Sequence, residues 1–239
     1  VLAGVPARIV SLVPSLTETL ASWGIEPVGA TDWCVSPELP DAVRVRGTKN
    51  PDVPLVISLA PDLVVADQEE NRKVDVERLR AAGIPVYVTA PRSLAQVADS
   101  LERLGTVVGV ADRGRSLAEE IRSAIASPPP ARRRVFCPVW RDPWIAVGTD
   151  TIAADLLHHA GLDVVTREPR YPRVELDEVR SLRPEVVLLP SEPYEFGEAD
   201  VAAFDGWAAA VHLVDGQQLT WWGPRTPGAV AAFRALSYT

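Results

Sequence analysis

Methionine is absent from this chain, cysteine occurs only at Cys34 and Cys137, and histidine only at His158, His159 and His212. Two thiols about a hundred residues apart, with no CxxC pair, exclude a disulfide scaffold and a zinc ribbon and leave the redox compartment open. Three histidines, two on a predicted helix and one in a predicted strand, make a dedicated His cluster for a bare ion improbable and read as satisfied structural side chains. Long apolar runs are missing too: stretches such as Val186–Pro190 fall far short of the roughly 20 residues that cross a bilayer as a helix. Positive charge is in deficit, 24 Lys plus Arg against 32 Asp plus Glu, a net −8. That balance argues against nucleic acid as a partner, because counterion release needs a basic face. The one basic run, Arg132-Arg133-Arg134, follows Pro128-Pro129-Pro130 and reads as a solvated linker end. Catalytic signatures are equally scarce, with no GxSxG, HExxH, P-loop or GxGxxG. No catalytic residue is therefore named and an enzyme is not expected. Glu69-Glu70 with Glu192 is the one set that could serve acid–base or metal-assisted chemistry, and it reads equally as a polar rim around a ligand.

What the chain does have is an ordinary globular balance over 239 residues, 47% hydrophobic and 23% charged, enough for one large domain or two smaller ones without staples. It also repeats itself. Ser58-Leu-Ala-Pro-Asp-Leu-Val-Val-Ala66 is matched by Ser181-Leu-Arg-Pro-Glu-Val-Val-Leu-Leu189. Each reads as a helix end, a Pro–acid break and a β-branched run of buried-strand length. Upstream of the first copy, residues 8–13 read as a strand, 17–23 as a helix closed by Gly24, and 27–30 as a second strand. Residues 134–139, 151–160 closed by Gly161, and 163–166 repeat that order upstream of the second. A helix over 73–82 and a strand over 85–89 continue the first set; a helix over 199–207 and a strand over 211–214 continue the second. The alternation predicts an α/β fold of two similar lobes, residues 1–92 and 128–239, each with a mostly parallel sheet flanked by helices. Between them, Leu94, Val97, Leu101, Leu104, Val108, Leu117, Ile121 and Ile125 recur at helical spacing. Residues 93–127 are thus expected as one long backbone helix joining the lobes, with two helices joined near Asp112-Arg113-Gly114 as the alternative. A continuous helix there predicts little lobe motion on binding, with loops and rotamers adjusting instead.

In open parallel sheets, ligands bind outside the carboxyl ends of the strands. Those ends are expected at residues 14–17, 31–34 and 67–71 in the first lobe and at 140–144, 191–196 and 219–225 in the second. Aromatics are 6% of the chain, yet six of the seven Trp fall on or near these loops: Trp33, Trp140, Trp144, Trp221, Trp222 and, more loosely, Trp207. Rings for stacking beside Arg141 and Arg225 suit a flat, partly apolar, partly anionic ligand, while filling the core is the alternative use of such large side chains. The candidate ligand-binding set is Trp33, Glu69, Asn71, Trp140, Arg141, Trp144, Glu192, Tyr194, Trp221, Trp222 and Arg225, with no resident metal and no cofactor.

Four segments carry a family resemblance: Arg8-Ile-Val-Ser-Leu-Val-Pro-Ser-Leu-Thr-Glu18, Gly-Ile-Glu-Pro-Val-Gly at 24–29, Leu-Ala-Pro-Asp-Leu-Val-Val at 59–65, and Leu-Arg-Ala-Ala-Gly-Ile-Pro-Val at 79–86. In that order, and with the element order over essentially the whole chain, the sequence resembles the substrate-binding proteins of ABC importers whose lobes are joined by one rigid helix. These include the vitamin B12-, siderophore- and haem-binding receptors. The resemblance implies a monomeric receptor that captures a cobalamin-like corrinoid or other metal chelate in a cleft between two lobes, for delivery to an ABC permease. A ferric siderophore or haem is the alternative ligand, and a cytosolic carrier or sensor without a permease is the alternative role. It also implies an extracytoplasmic place, periplasmic or as a cell-surface lipoprotein. The chain opens on Val1 without methionine, so its initiator is expected to have been removed, with or without a signal peptide or lipid anchor. By the same resemblance Trp33 stands where B12-binding members put an aromatic beside the ligand, Trp222 falls near another, and residues 140–144 form the first loop of the second lobe. Two departures stand out. Where the first lobe is expected to carry a permease-docking Glu the chain has Pro54, with Asp52 nearby, whereas Asp177 and Glu178 could dock on the second. Lys49 and Asp67 replace aromatics of the B12-type rim.

Overall fold

The computed structural model describes residues 4–129 and 131–236; Pro130 of the proline run, and residues 1–3 and 237–239 at the outer ends of the expected lobes, lie outside the described residues. The chain divides into two compact units, one formed by residues up to 91 with 97–119, the other by 92–96 with residues from 120 onward. The first unit runs β1 (Ile9–Ser11), α1 (Pro14–Ser22), β2 (Gly29–Ala30), β3 (Val43–Arg44), β4 (Arg46–Gly47), β5 (Asn50–Pro51), α2 (Val53–Ser58), β6 (Leu63–Asp67), α3 (Lys73–Ala81) and β7 (Val86–Thr89). Two helices follow, α4 (Leu94–Val107) and α5 (Ala111–Ala126). The second unit continues with β8 (Arg133–Phe136), β9 (Pro138–Trp140), β10 (Ile145–Ala146), α6 (Ile152–Ala160), β11 (Leu162–Val164), α7 (Leu176–Ser181), β12 (Val186–Pro190), α8 (Glu198–Val201), β13 (Ala210–Val214), α9 (Gly216–Thr220) and α10 (Thr226–Leu236).

Each unit holds a wholly parallel sheet, in the order β3-β2-β1-β6-β7 in the first and β11-β8-β12-β13 in the second. Small antiparallel ribbons, β4–β5 and β9–β10, stand beside them. The repeated Pro–acid motif explains why the two sheets share a central pairing. Asp62 Oδ2 accepts the backbone N–H groups of Ala7 at 2.9 Å and Arg8 at 2.8 Å, and Arg8 Nη2 donates to Leu59 O at 2.8 Å. Glu185 Oε2 likewise accepts the Arg134 N–H at 3.0 Å, and Arg134 Nε donates to Arg183 O at 2.8 Å. One residue further on, Ile9 pairs with Leu63 and Val135 with Val186. The acid therefore satisfies the first donors of the neighbouring strand, and a local motif fixes a long-range register. Ala60 and Arg183, each just before the proline, sit at φ +45° and +53°, so even the backbone of the joint is duplicated.

Behind these joints the cores are apolar and close-packed. Val10, Leu12, Val64 and Leu79 are buried in the first unit, and Phe136, Val187, Leu189 and Phe204 in the second. Each such side chain contributes about 1.5–3 kcal/mol by leaving water.

Three expectations need correction. The segment expected as one helix is two, of 14 and 16 residues. Gly109 adopts φ +81°, and the Val110 N–H turns back to Gly105 O at 2.8 Å, a left-handed C-terminal cap. The next helix then crosses closely, since a Cβ on Gly105 would lie 2.8 Å from Gly114 Cα. The apolar spacing survives this turn because both helices bury the same kind of face, so periodicity could not register it. The expectation of little lobe motion, argued from an unbroken rod, therefore loses its premise. Second, the basic run is not a linker end. Arg133 and Arg134 open β8, and Arg132 Nη1 meets Asp163 Oδ1 at 2.7 Å. Third, the helix expected over 199–207 is only α8 with a single 3₁₀ turn at Ala202–Phe204. Among the described residues no helix is long and apolar enough to cross a membrane.

Candidate ligand-binding loops

In the first unit the loops at the carboxyl ends of β1, β2 and β6 are knitted together by the β4–β5 hairpin. After β2, residues 31–34 turn around the buried Cys34 thiol, which lies 3.0 Å from Thr17 Oγ1 and 3.1 Å from Thr31 Oγ1. Burial pushes that thiol's pKa up, against the lowering effect of both hydroxyls. Arg44 Nη1 clamps the same turn, donating to Thr31 O at 3.0 Å and Cys34 O at 2.9 Å. The result holds Trp33 out in solvent at 64% exposure, its indole beside Gly47, where a Cβ would come within 3.3 Å of Nε1.

Asn71 does something other than the ligand contact expected of it. It is buried, its Oδ1 accepts the Asp67 N–H at 2.9 Å, and its Nδ2 donates to Leu12 O at 3.1 Å and Thr48 O at 3.0 Å. Its side chain is thus committed to tying three backbone segments. Glu69 is half-buried on the same loop, and Lys49 Nζ donates to its carbonyl.

Asp67 underpins this loop. Its Oδ1 accepts the Glu69 N–H at 2.8 Å and its Oδ2 the Thr89 hydroxyl at 2.7 Å. Burial pushes its pKa up to about 6, with Glu69 and Glu70 adding to the rise and the two hydrogen bonds opposing it. The folded-state pKa lies above the unfolded value, so the folded chain holds more protons between them, and stability falls as pH rises through that window. The protonated acid can donate to Thr89 Oγ1, freeing that hydroxyl for Ala66 O at 3.2 Å. Asp67→Asn reproduces that pattern at every pH. We expect the urea midpoint of the parent to fall between pH 5 and 7.5 and that of Asp67→Asn to stay flatter, the variant being more stable at pH 7.5 by about 2–3 kcal/mol. A parent at least as stable as the variant at pH 7.5 would contradict this account.

In the second unit the β9–β10 hairpin carries residues 140–144 and the loop after β12 carries 191–196, and their rings form one continuous file. Trp140 meets Tyr194 edge-on at 5.7 Å, Tyr194 lies 4.6 Å from Phe196, and Phe196 stacks on Trp144 at 6.0 Å and 7°. Trp144 then meets Phe204 at 5.7 Å, which touches Phe136 and Trp207 in the core. The file runs from water inward: Trp140 is 43% exposed, Tyr194 and Trp144 are half-buried, and Phe136 is inaccessible. Arg141 lies over Trp144, its Cζ 5.6 Å from the ring, and pairs through Nη1 with Asp200. The Gly197 N–H, 2.9 Å from Asp200 Oδ2, lowers that carboxyl's pKa, and Arg141 lowers it further. The sheet thus brings Trp140, Arg141, Trp144 and Tyr194 together, with Trp140 and Tyr194 at the rim and Trp144 acting as their support.

The remaining candidates fall elsewhere in this unit. Glu192 Oε1 accepts the Thr220 hydroxyl at 2.8 Å. Trp221 and Trp222 are buried, at 8% and 6% exposure, with Arg225 Cζ 5.1 Å from the Trp221 ring. Asp177 and Glu178 are exposed in the first turn of α7, and Pro54 is exposed at the start of α2. Of the histidines, His158 Nδ1 lies 2.7 Å from Asp163 Oδ1 and His159 is half-buried near Asp155. His212 is not satisfied as expected: its buried Nε2 has no partner among the described residues. Also among the described residues, no group of three or more His, Cys, Asp and Glu stands together to hold a metal ion. Residues 165–175, which follow β11, are missing from the sequence-based set. They pair along the hairpin strand through Gly148 N to Arg170 O at 2.8 Å and Val174 N to Trp144 O at 3.0 Å. They carry Arg167, Arg170 and Arg173, and Tyr171 at 40% exposure with Arg170 Cζ 6.0 Å from its ring. The signal was available, since three arginines and a tyrosine follow a strand end directly.

Comparison with known proteins agrees with this architecture. Residues 9–210 match the family described as Periplasmic binding protein. A vitamin B12-binding protein of Salmonella choleraesuis (strain SC-B67) is 25% identical over 196 residues, covering 79% of this chain and 74% of that protein. The crystal structure of the periplasmic vitamin B12 binding protein of Vibrio cholerae superposes with a TM-score of 0.81 at 21% identity, over 98% of this chain and 99% of that one. A periplasmic heme-binding protein from Roseiflexus sp. RS-1, in apo form, gives 0.85 at 23% identity, over 97% of each chain. The chain belongs to the periplasmic binding protein family.

Proposed function

We propose that the chain is the extracytoplasmic, monomeric receptor of an ABC-type importer, and that the strand-end loops of both units contact one ligand, a cobalamin-like corrinoid or a related tetrapyrrole chelate. The observation that carries this reading is the aromatic file ending at Trp140 and Tyr194. Rings that stand in water yet are fixed from behind by Phe196 and Trp144 offer a flat, pre-ordered apolar contact at little entropic cost. Trp33, anchored by Cys34 and Arg44, supplies the corresponding ring on the first unit. Arg141 adds a cation for the ligand's carboxylate or phosphate groups. Relatives named for vitamin B12 support the corrinoid, and similar folds named for heme support a wider tetrapyrrole class. Asp177 and Glu178, exposed on α7, are the proposed permease contacts of the second unit.

A second ligand reading, a ferric siderophore, draws on Arg167, Arg170 and Arg173, which would suit a more highly charged chelate. Cyanocobalamin, cobinamide, haemin and ferric siderophores, tested by calorimetry and thermal unfolding, decide between them. A true ligand at 100 times its Kd stabilises the chain by about 2.7 kcal/mol. Stabilisation by a siderophore alone would replace the corrinoid, and heat of binding for none of the four would end the chelate reading.

A further inference from the structure

The helices α2 and α7 hold equivalent places in the two repeats, each ending four residues before the acid of its Pro–acid motif. Their surroundings carry opposite charge. At the start of α7, Glu175, Asp177 and Glu178 are all exposed. At the start of α2, Pro54 stands in the place of Asp177, beside a groove of about 390 Å³ rimmed by Arg46, Arg72 and Arg78. Two carboxylates anchor the rim from beneath. Asp75, its side chain 1% exposed, receives Arg72 Nε at 2.8 Å and Arg78 Nη1 at 3.4 Å. Asp52, which caps α2 by accepting the Leu55 N–H at 3.1 Å, lies 3.5 Å from Arg46 Nε. The three arginine side chains nevertheless remain 69%, 51% and 63% exposed in that order.

An arginine held through one edge keeps its other N–H donors outward in a fixed fork, the geometry that grips a carboxylate bidentately with little rotamer freedom left to lose. Three cations stand over two carboxylates, so this face is net positive on a chain whose total is −8. The arginines are anchored at two separate carboxylates, so their outer donors fit several acceptors spread over a surface. We propose that the arginine-rimmed groove beside α2 docks a carboxylate-rich surface of a partner protein. Charge complementarity selects such a partner, since a basic face would be repelled by the outward guanidinium groups. Identifying that partner with the permease rests on the receptor reading above, whereas the groove's preference for carboxylates does not.

The arginine Nε–Hε NMR signals test the proposal directly, using an acetyl-Glu-Glu-Gly-Glu-Glu-amide peptide, its all-Lys counterpart and inorganic phosphate as probes. The Glu peptide is expected to move Arg46, Arg72 and Arg78 saturably and together, at concentrations about fivefold below those phosphate requires, with the effect fading as salt rises. The Lys peptide is expected to move the amides of 175–178 and leave these arginines alone. Arg46→Gln with Arg78→Gln, read at the Arg72 signal, should weaken the Glu-peptide response by about tenfold or more while amide signals away from the groove keep their positions, because Asp75 retains Arg72 and no like charge is set beside it. Phosphate saturating at equal or lower concentration would make this a free-anion site and overturn the proposal. So would equal shifts at every exposed arginine, or an unaltered titration in the double variant. Carboxylate docking without binding of any of the four chelates would instead remove the receptor reading and leave the groove standing.

Discussion

Asn71→Leu is expected to lower the stability of the chain by about 3–5 kcal/mol, because it removes the partner of three buried backbone groups at once while keeping the branching of the side chain. The Asp67 N–H, Leu12 O and Thr48 O each lose their bond to Asn71, and a donor or acceptor stranded away from water costs about 1–3 kcal/mol. These groups lie at the ends of β6 and β1 and in the β4–β5 hairpin, so the loss is shared by the whole carboxyl edge of the first sheet. Asn71→Asp is the informative companion. It keeps an acceptor for the Asp67 N–H but turns two donated bonds into repulsions with carbonyl oxygens, and should cost nearly as much at neutral pH. Urea unfolding measures both. A midpoint for Asn71→Leu within error of the parent would show that Asn71 is not the tie described here, and would reopen its use as a ligand contact.

Asn71 also shows what the sequence could and could not disclose. Its loop was placed correctly because β6 is an uninterrupted apolar run between a Pro–acid break and a polar stretch, a pattern set by burial on both faces of a parallel strand. The same logic located β12 and, through the duplicated motif, the two-unit architecture. Direction is another matter. Whether a loop side chain faces solvent or folds back on the backbone depends on acceptors brought from distant residues, here Leu12 and Thr48, and local composition holds no record of them. Trp221 and Trp222 illustrate the same limit, being buried despite a loop position shared in kind with the exposed Trp33. The break at Gly109 escaped for a further reason: both flanking helices bury an apolar stripe, and only the positive φ of one glycine separates two helices from one. The partnership of residues 165–175 with the β9–β10 hairpin is made by backbone hydrogen bonds, to which side-chain patterning is nearly blind.

Trp140→Ala is expected to weaken ligand binding by about 30-fold, near 2 kcal/mol, while costing about 1 kcal/mol or less in stability. The asymmetry follows from the gradient of the aromatic file. Trp140 is 43% exposed and joins the file through an edge contact with Tyr194 at its outer end, so its removal exposes less than the loss of an inner ring would. Trp144 sits between Phe196 and Phe204 under the Arg141 guanidinium, so Trp144→Ala opens a hole and should cost about 2–4 kcal/mol. Trp144→Phe keeps the stack on Phe196 and the seat of Arg141, and should hold affinity within about threefold of the parent, since its ring supports the rim instead of meeting the ligand. Titration calorimetry, with whichever of cyanocobalamin, cobinamide or haemin binds the parent, supplies the affinities, and urea midpoints supply the stabilities. Unchanged affinity in Trp140→Ala, combined with a large loss in Trp144→Phe, would invert the order of rim and support and place the ligand on the inner face of the file. An equal loss in both would mean that the two rings act as one rigid platform, and Tyr194→Phe would then leave affinity untouched, because only its ring and not its hydroxyl belongs to the file.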